Sequence, residues 1–365
     1  MNILILNWRD PANPKSGGAE IVIGKYAQHW MKKGDKVFWI GNRFKNAPKT
    51  DNLRGLEVHR VGPELPFYNT SLMLLFYPIF LVNAIFTVYK ISQKHKFDLI
   101  IDAIHGLPWF SPLYLKKRIV LFVCEVAGPI WDKMYTFPIN LVGKVLEKIV
   151  YILYQKCGIW AISESTKEDI LTINPKLNVK VIPLGIDSSD FKVQKKFDFP
   201  SAIFMARLVP MKGIESALLA VIQIVRRFPN FKLFVVGGGN KEYVEKLKQT
   251  IFENNIKENV EFMGRASDLE RNRLYAKCHF LIHPSFKEGF GLTVLEAGAS
   301  GTPTIARKGS SIDELIDNGK DGLLFEQDSQ IAQLFIKYFG IPKYHQMRKN
   351  ALAKSKRYDW SKILA

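Results

Sequence analysis

With 365 residues the chain exceeds one ordinary domain, and at roughly 100–200 residues per domain it predicts two. A hydrophobic fraction of 47% is enough to bury a large core, and a formal net charge of +18 implies an acidic partner: nucleotide phosphate, anionic lipid or nucleic acid. Three cysteines, Cys124, Cys157 and Cys278, are too few and too scattered for a disulfide frame or a zinc site, which fits a reducing cytoplasm.

The first residues, Met1 to Asn7, lack the basic segment and cleavage site of a signal peptide and read as a β-strand over 2–7. A loop follows from Trp8 to Gly18, then a helix from about Ala19 to Lys33. Gly17 and Gly18 at this strand-to-helix turn let the backbone approach an anion closely. Strands are expected at 37–40 and 57–61, joined by a basic, proline-containing loop, which is the rhythm of a doubly wound domain.

Residues 65–91 carry no charge from Leu72 to Tyr89, a length close to a membrane span of about 20 residues. Pro78 and Asn83 interrupt the segment, and it lies between strands of a soluble pattern. Two readings follow: a buried helix with its approach loop, or a hydrophobic surface dipping into a bilayer interface, with Lys90, Lys94 and Lys96 beside it to hold anionic lipid.

A strand at 97–102 ends near His105, and ligands in α/β sheets bind beyond the carboxyl ends of strands. A strand at 119–123 leads to a loop bearing Glu125 and Trp131, placed towards the mouth where an acceptor would lie. An amphipathic helix over 139–156 has Leu141, Val145, Ile149 and Ile152 on one face. Strands at 159–163 and 179–187 complete a first domain, 1–187. A polar, lysine-rich linker, 188–200, precedes a second domain, 201–344, with a closing helix in 345–365.

The second domain opens with a strand at 202–205 and a loop carrying Arg207 and Lys212, two cations able to clamp a diphosphate. The run Gly237-Gly238-Gly239 fails as a dinucleotide fingerprint, since Glu242 stands where the third glycine belongs. Arg265, at the end of a strand, could flank a base. Then comes a strand at 280–283, a glycine turn and a helix. Free N–H groups and the helix dipole suit this turn to phosphate. Glu288 and Glu296 bracket it. Carboxylates so near a phosphate site suit sugar and ribose hydroxyls instead. No Asp-x-Asp occurs. His279 and His283, on a strand, are separated by roughly 13 Å of rise, too far to share an ion.

Glu288 and Glu296, with seven residues between them around Gly289-Phe290-Gly291, resemble the E-x7-E motif of the family 4 retaining glycosyltransferases (glycosyl transferases group 1, the glycogen synthase and sucrose synthase relatives). Gly17-Gly18-Ala19-Glu20 is similar to that family's GGxE loop. Ser163–Lys167 and Pro183–Asp187 resemble its SxST and P-x-G-[VI]-D segments. Ala206–Gly213 resembles its G-R-L-x-x-x-K-G motif, with Ala206 in place of glycine. His105 matches the family's cleft histidine, although Asp102, Ala103 and Ile104 before it depart from the pattern.

The resemblance implies a GT-B architecture, an α/β fold of two Rossmann-like doubly wound domains facing each other across a cleft, with the final helix crossing back to the first domain. It implies a retaining transfer of a sugar from a UDP- or GDP-type nucleotide sugar to an acceptor hydroxyl. On this reading His105, Glu288, Arg207 and Lys212 are catalytic. Gly17, Gly18, Arg207, Lys212, Arg265, Glu288, Gly289, Phe290, Gly291, Leu292, Thr293 and Glu296 hold the donor. Glu125 and Trp131 lie on the acceptor side. No divalent metal or other cofactor is required, because protein cations and helix N-termini take the diphosphate charge. Closure of the two domains would exclude water. The charge and the 65–91 segment lean towards a lipid-linked acceptor sugar, an anionic membrane surface and a cytoplasmic, peripheral location. Nucleic acid is not expected as a partner: the basic residues are dispersed and no helix-turn-helix, RRM or zinc pattern appears. The rival readings are a basic nucleic-acid-binding protein, a sugar-nucleotide epimerase of the same fold, and a catalytically idle donor-binding scaffold.

Overall fold

The computed structural model describes residues 1–65, 70–104, 108–128 and 130–365. By its contacts the chain forms two compact units: 1–131 with 137–182, and 183–365 with 132–136.

The first unit holds strands β1 (Asn2–Leu6), β2 (Lys36–Asn42), β3 (Thr50–Leu53), β4 (Leu56–Val61), β5 (Leu99–Ile104), β6 (Ile119–Val123), β7 (Gly158–Ala161) and β8 (Val179–Val181). They form one sheet in the order β3-β4-β2-β1-β5-β6-β7-β8, parallel except for the β3–β4 pair. Its helices are α1 (Gly18–Lys32), α2 (Thr70–Ser92), α3 (Ile130–Met134, whose last residues belong to 132–136), α4 (Ile139–Leu153) and α5 (Glu164–Ile173). β6 reads as an unbroken apolar run, β1 does so from Ile3, and β5 is interrupted only by Asp102, because helices cover both faces of a parallel sheet. β3 lies inside the stretch expected to be a basic loop. Its sequence, Thr-Asp-Asn-Leu, has no apolar alternation. It is held by pairing with β4 through a two-residue turn, with Arg54 and Gly55 at φ of 55° and 97°.

α2 is apolar on two opposite faces. Tyr77, Phe80, Ala84, Val88 and Ile91 are buried in the core of the unit. Leu75, Ile79, Val82, Phe86 and Tyr89, spaced four and three residues apart on the other side, are exposed. The inner stripe ties the helix to the sheet, and the outer one leaves an apolar surface. The buried-helix reading holds for the inner stripe. In α4 the stripe Leu141, Val145, Ile149 and Ile152 is exposed as well, whereas an amphipathic helix ordinarily turns such a stripe inward. α4 is anchored instead by Val150 and Tyr151, in the same core cluster as the inner face of α2.

The second unit holds β9 (Ser201–Met205), β10 (Lys232–Val236), β11 (Val260–Gly264), β12 (Phe280–His283), β13 (Thr304–Arg307) and β14 (Leu323–Phe325), with helices α6 (Ile214–Ile224), α7 (Lys241–Glu253), α8 (Asp268–Lys277), α9 (Leu292–Ala299), α10 (Ile312–Leu315), α11 (Ser329–Tyr338), α12 (Pro342–Ser355) and α13 (Trp360–Ile363). Its sheet is parallel, in the order β11-β10-β9-β12-β13-β14. This is the doubly wound order 3-2-1-4-5-6, which reverses direction between β9 and β12 and opens a crevice at their carboxyl ends.

The segment 188–200 is packed rather than free: the Phe197 N–H donates to the Lys277 carbonyl at 2.9 Å, and Lys196 Nζ bonds Thr302. Residues 345–365 comprise most of α12, then α13. α12 lies on α9, where a Cβ on Gly298 would stand 2.2 Å from Ser355 Oγ. Beyond it the chain pairs with 185–188: the Ile186 N–H bonds the Tyr358 carbonyl at 2.8 Å, and Asp359 accepts from the Ser188 N–H at 3.0 Å. The sequence pattern puts 183–187 at the end of the first domain; the contacts place them in the second unit.

Candidate active site

The loops that follow β9 and β12 are stitched together at the switch point of the second sheet. The Phe286 N–H donates to the Met211 carbonyl at 3.0 Å. Gly213 adopts φ +69°, and a Cβ there would stand 2.4 Å from the Pro284 carbonyl oxygen, so only glycine lets the two loops close. Lys212, on the first loop, thereby reaches Glu288 on the second: Nζ lies 2.6 Å from Oε1, with both side chains 14% exposed. His283, at the end of β12, brings Nε2 to 3.2 Å from the same oxygen without hydrogen-bond alignment, and Nδ1 to 3.5 Å from Thr293 Oγ1. The Glu288 backbone is pinned too, its N–H donating to Ser310 Oγ at 3.2 Å and its carbonyl accepting from Ser311 Oγ at 2.9 Å.

Burial alone would raise the Glu288 carboxyl. Lys212 and His283 outweigh it and hold the group well below the usual carboxylate range. Glu296, on α9, has the opposite balance. Burial raises it, and neither the Arg271 charge nor the hydrogen bond from Tyr275 Oη at 3.0 Å cancels the rise. The two carboxylates of the motif thus differ in kind. Glu288 is a firm anion, while Glu296 is pushed towards its neutral form.

Gly291, at φ +97°, starts α9 without a side-chain cap, and a Cβ there would stand 2.8 Å from Ile312 Cδ1. The first-turn N–H groups of Leu292 and Thr293, with the dipole behind them, form a fitting seat for an anion next to Glu288. Phe290 is buried before this turn, 6.1 Å between ring centroids from Tyr358, and Gly289 lies between it and Glu288. Arg207, on the loop after β9, is exposed and forms no ion pair with a described residue. The glycine run 237–239 closes that loop from the other side: the Leu208 N–H bonds the Gly238 carbonyl at 2.9 Å, and a Cβ on Gly237 would lie 1.8 Å from the Ala206 carbonyl oxygen. Arg265, also exposed, runs its side chain beside Gly238.

In the first unit, Gly17 is the N-cap of α1, and its N–H donates to Glu20 Oε2 at 2.8 Å. The chain's own carboxylate therefore occupies the first turn at Gly17 and Gly18, with Arg9 Nη1 3.6 Å from its other oxygen. His105 lies outside the described residues. Three positions earlier, Asp102 is fully buried and accepts from Ser111 Oγ at 2.5 Å and from Tyr154 Oη, while its Oδ1 has no hydrogen-bond partner among the described residues. Burial pushes this carboxyl up to about 6 against those two donors. Glu125 and Trp131 are half-buried after β6. Trp131 Nε1 donates to Glu147 Oε2 at 3.2 Å, and its ring lies against Gly143 of α4.

Comparison with known proteins divides the chain as the fold does. Residues 186–354 match the family described as glycosyl transferases group 1, and residues 16–190 match glycosyltransferase family 4. The chain belongs to this family. An uncharacterised glycosyltransferase of Methanocaldococcus jannaschii is 26% identical over 88% of this chain and 84% of its own length. A GDP-mannose-dependent alpha-(1-6)-phosphatidylinositol monomannoside mannosyltransferase of Mycobacterium tuberculosis is 27% identical over 42% of this chain and 44% of its own. Sucrose-phosphate synthase from Thermosynechococcus elongatus superposes with a TM-score of 0.85 at 19% identity, covering 100% of this chain and 96% of that one, which establishes the GT-B fold.

Two residues beside the predicted positions escaped sequence reasoning, one in each unit. His283 could have been singled out by the argument applied to His105, a histidine at the carboxyl end of a strand. Glu147 is the one acidic residue between Ile139 and Leu153, a visible signal. Its carboxylate takes the N–H groups of Ala127 and Gly128 at 2.7 and 2.9 Å as well as Trp131, so it sets the loop that carries Glu125 and Trp131.

Proposed function

We propose that this glycosyltransferase moves a hexose-type sugar from a nucleotide-diphosphate donor to an acceptor hydroxyl with retention of anomeric configuration and without a divalent metal. The C1–O bond to the diphosphate breaks, and a C1–O bond to the acceptor forms on the same face. The acceptor proton passes to the departing phosphate oxygen. Lys212, Arg207 and the first turn of α9 take up the charge on the leaving group. Glu288, held ionised, accepts from donor-sugar hydroxyls, and Glu296 from the ribose. The observation that carries this reading is the Lys212–Glu288 pair, 2.6 Å apart beside the uncapped start of α9. A cation and an anion so placed can serve the phosphate and sugar ends of one ligand.

The acceptor is proposed to be lipid-linked and met at the cytoplasmic face of a membrane. Support comes from the exposed apolar stripes of α2 and α4, the net charge of +18, and the phosphatidylinositol glycolipid in the name of the mycobacterial relative. A thermal-shift panel of UDP, GDP and their sugars, with and without EDTA, tests the donor. NMR of the product anomer tests retention. Stabilisation that vanishes with EDTA, or an inverted product, would refute the corresponding part.

A further inference from the structure

The first unit contains a cavity of about 600 Å³ on the outer side of α2, within the range of roughly 300–1,000 Å³ that holds small organic ligands. Its walls are largely apolar: Ile85, Val88 and Tyr89 from α2, Phe97 just before β5, Ile100 in it, and Leu115. Lys96, Lys116 and Lys117 also line it, and all three are exposed. Phe97 precedes β5 and Ile100 lies near its amino-terminal end, and Lys116 and Lys117 precede β6. The cavity thus lies at the edge of the sheet opposite to the strand ends that bear Asp102 and Glu125, and is separate from the candidate site in this unit.

We propose that this cavity takes one acyl chain of an anionic bilayer phospholipid, with its phosphate against Lys96, Lys116 and Lys117. The inference rests on the membrane-facing part of the proposed function and specifies how the surface is held. Three features select this occupant. The walls offer methylene-compatible surface. Among the described residues the rim offers cations and no acidic side chain. The cavity also continues directly into the exposed stripe, since Val82, Phe86 and Tyr89 belong to both. The segment Leu75–Ser92 is long and apolar enough to cross a membrane, and only 28% of it is buried. Its inner stripe nevertheless fixes it in the core. It therefore lies along a bilayer surface, where flanking lysines meet headgroups and apolar side chains meet chains.

Sub-micellar dihexanoyl phosphatidylglycerol titrated into the full chain by calorimetry should bind saturably, one to one. Lengthening the chains should tighten binding roughly fourfold per methylene entering the cavity. Glycerol phosphate, which has no chain, and dihexanoyl phosphatidylcholine, which has no net charge, should bind at least about tenfold more weakly. Ser92→Trp, which fills the mouth from an exposed lining position, should abolish the chain-length dependence. Lys116→Glu with Lys117→Glu should remove the preference for the anionic headgroup, and this exposed pair carries the test if Ser92→Trp does not fold. No saturable binding, or equal binding by wild type and the folded variants, overturns the proposal. So does saturation by an isoprenoid phosphate but not by phosphatidylglycerol. Flotation with phosphatidylglycerol vesicles separates the two readings. Wild type and Ser92→Trp floating equally would leave the membrane reading standing and remove the chain from the cavity. Wild type failing to float would remove the membrane reading itself.

Discussion

Lys212 Nζ and Glu288 Oε1, 76 residues apart in sequence, stand 2.6 Å from each other, and His283 Nε2 approaches the same oxygen to 3.2 Å. Lys212 and His283 each stabilise the carboxylate that burial opposes. Lys212→Met should lower kcat on the order of 10²–10³-fold, the cost of losing one preorganised charge at a developing anion. It should also move the acid limb of the pH profile. In the wild type the folded carboxyl titrates below its unfolded value of about 4.3. Its contribution is therefore present above that value and lost only as pH falls through the depressed folded one. With Lys212 gone, burial prevails over His283 alone, and the acid limb should rise by roughly 1–3 pH units. A limb that stays in place would show that Lys212 does not set the charge of Glu288.

The glycine at 213 offers a structural test of the same site. Gly213→Ala puts a residue with φ +69° under about 1–3 kcal/mol of backbone strain and drives its Cβ into the Pro284 carbonyl. The loops bearing Lys212 and Glu288 must then part. Stability should fall and the KM for the donor should rise together. Gly34, at φ +88° with no atom within 4 Å of where an added methyl group would stand, is the control: Gly34→Ala should cost only the strain, with the KM unchanged. Equal KM effects at the two positions would mean that the loop contact does not shape the donor site.

Much of this was legible in the chain. The apolar runs of β1, β5 and β6, the strand–glycine–helix turn at Gly291 and the two glutamates around it announce themselves because backbone geometry and charge demand those residue types. What was not legible depends on tertiary partners. β3 has no apolar pattern and exists only as the mate of β4. The stripe on α4 looks like any core-facing helix stripe, since periodicity reveals that a face is apolar but not what covers it. Lys212 and Arg207 read alike on one loop, yet one is paired with Glu288 and the other stays exposed. The opposite states of Glu288 and Glu296 arise from Lys212 in one case and burial beside Tyr275 in the other. Lys212 and Tyr275 stand 76 and 21 residues from the carboxylates they contact.

Asp102 gives a prediction in the opposite pH direction. Its folded value of about 6 exceeds the unfolded value of about 3.9. The folded state therefore binds the proton more tightly, and this contribution is full below the unfolded value and lost as pH rises through 6. Asp102→Asn keeps an oxygen for Ser111 and Tyr154 and removes the titration. Relative to wild type it should gain stability between pH 4 and pH 7, by on the order of 2–3 kcal/mol across that window. Denaturant unfolding at both pH values measures it. A difference between variant and wild type that does not change with pH would show that Asp102 does not titrate there.

Arg60 and Asp10 form the most deeply buried ion pair described: Nε to Oδ2 is 2.8 Å and Nη2 to Oδ1 is 3.0 Å, a two-point fork, with Arg60 2% and Asp10 0% exposed. Asp51 Oδ2 and the Pro48 carbonyl take the remaining Nη1 contacts at 3.1 and 3.2 Å. The pair fastens the loop before α1 to β4, and so fixes where Gly17 and Glu20 begin the helix. Asp10 also supports that loop itself, accepting from the Ala12 N–H at 3.0 Å while its carbonyl accepts from Ser16 Oγ at 2.8 Å. Arg60→Met strands a carboxylate with no counter-charge and should cost about 3–5 kcal/mol in denaturant unfolding. Adding Asp10→Asn removes the stranded charge while keeping an acceptor for the Ala12 N–H, so the double variant should recover much of the loss. A single variant within about 1 kcal/mol of wild type would mean that the loop is held by its own turns, with the fork contributing only its geometry.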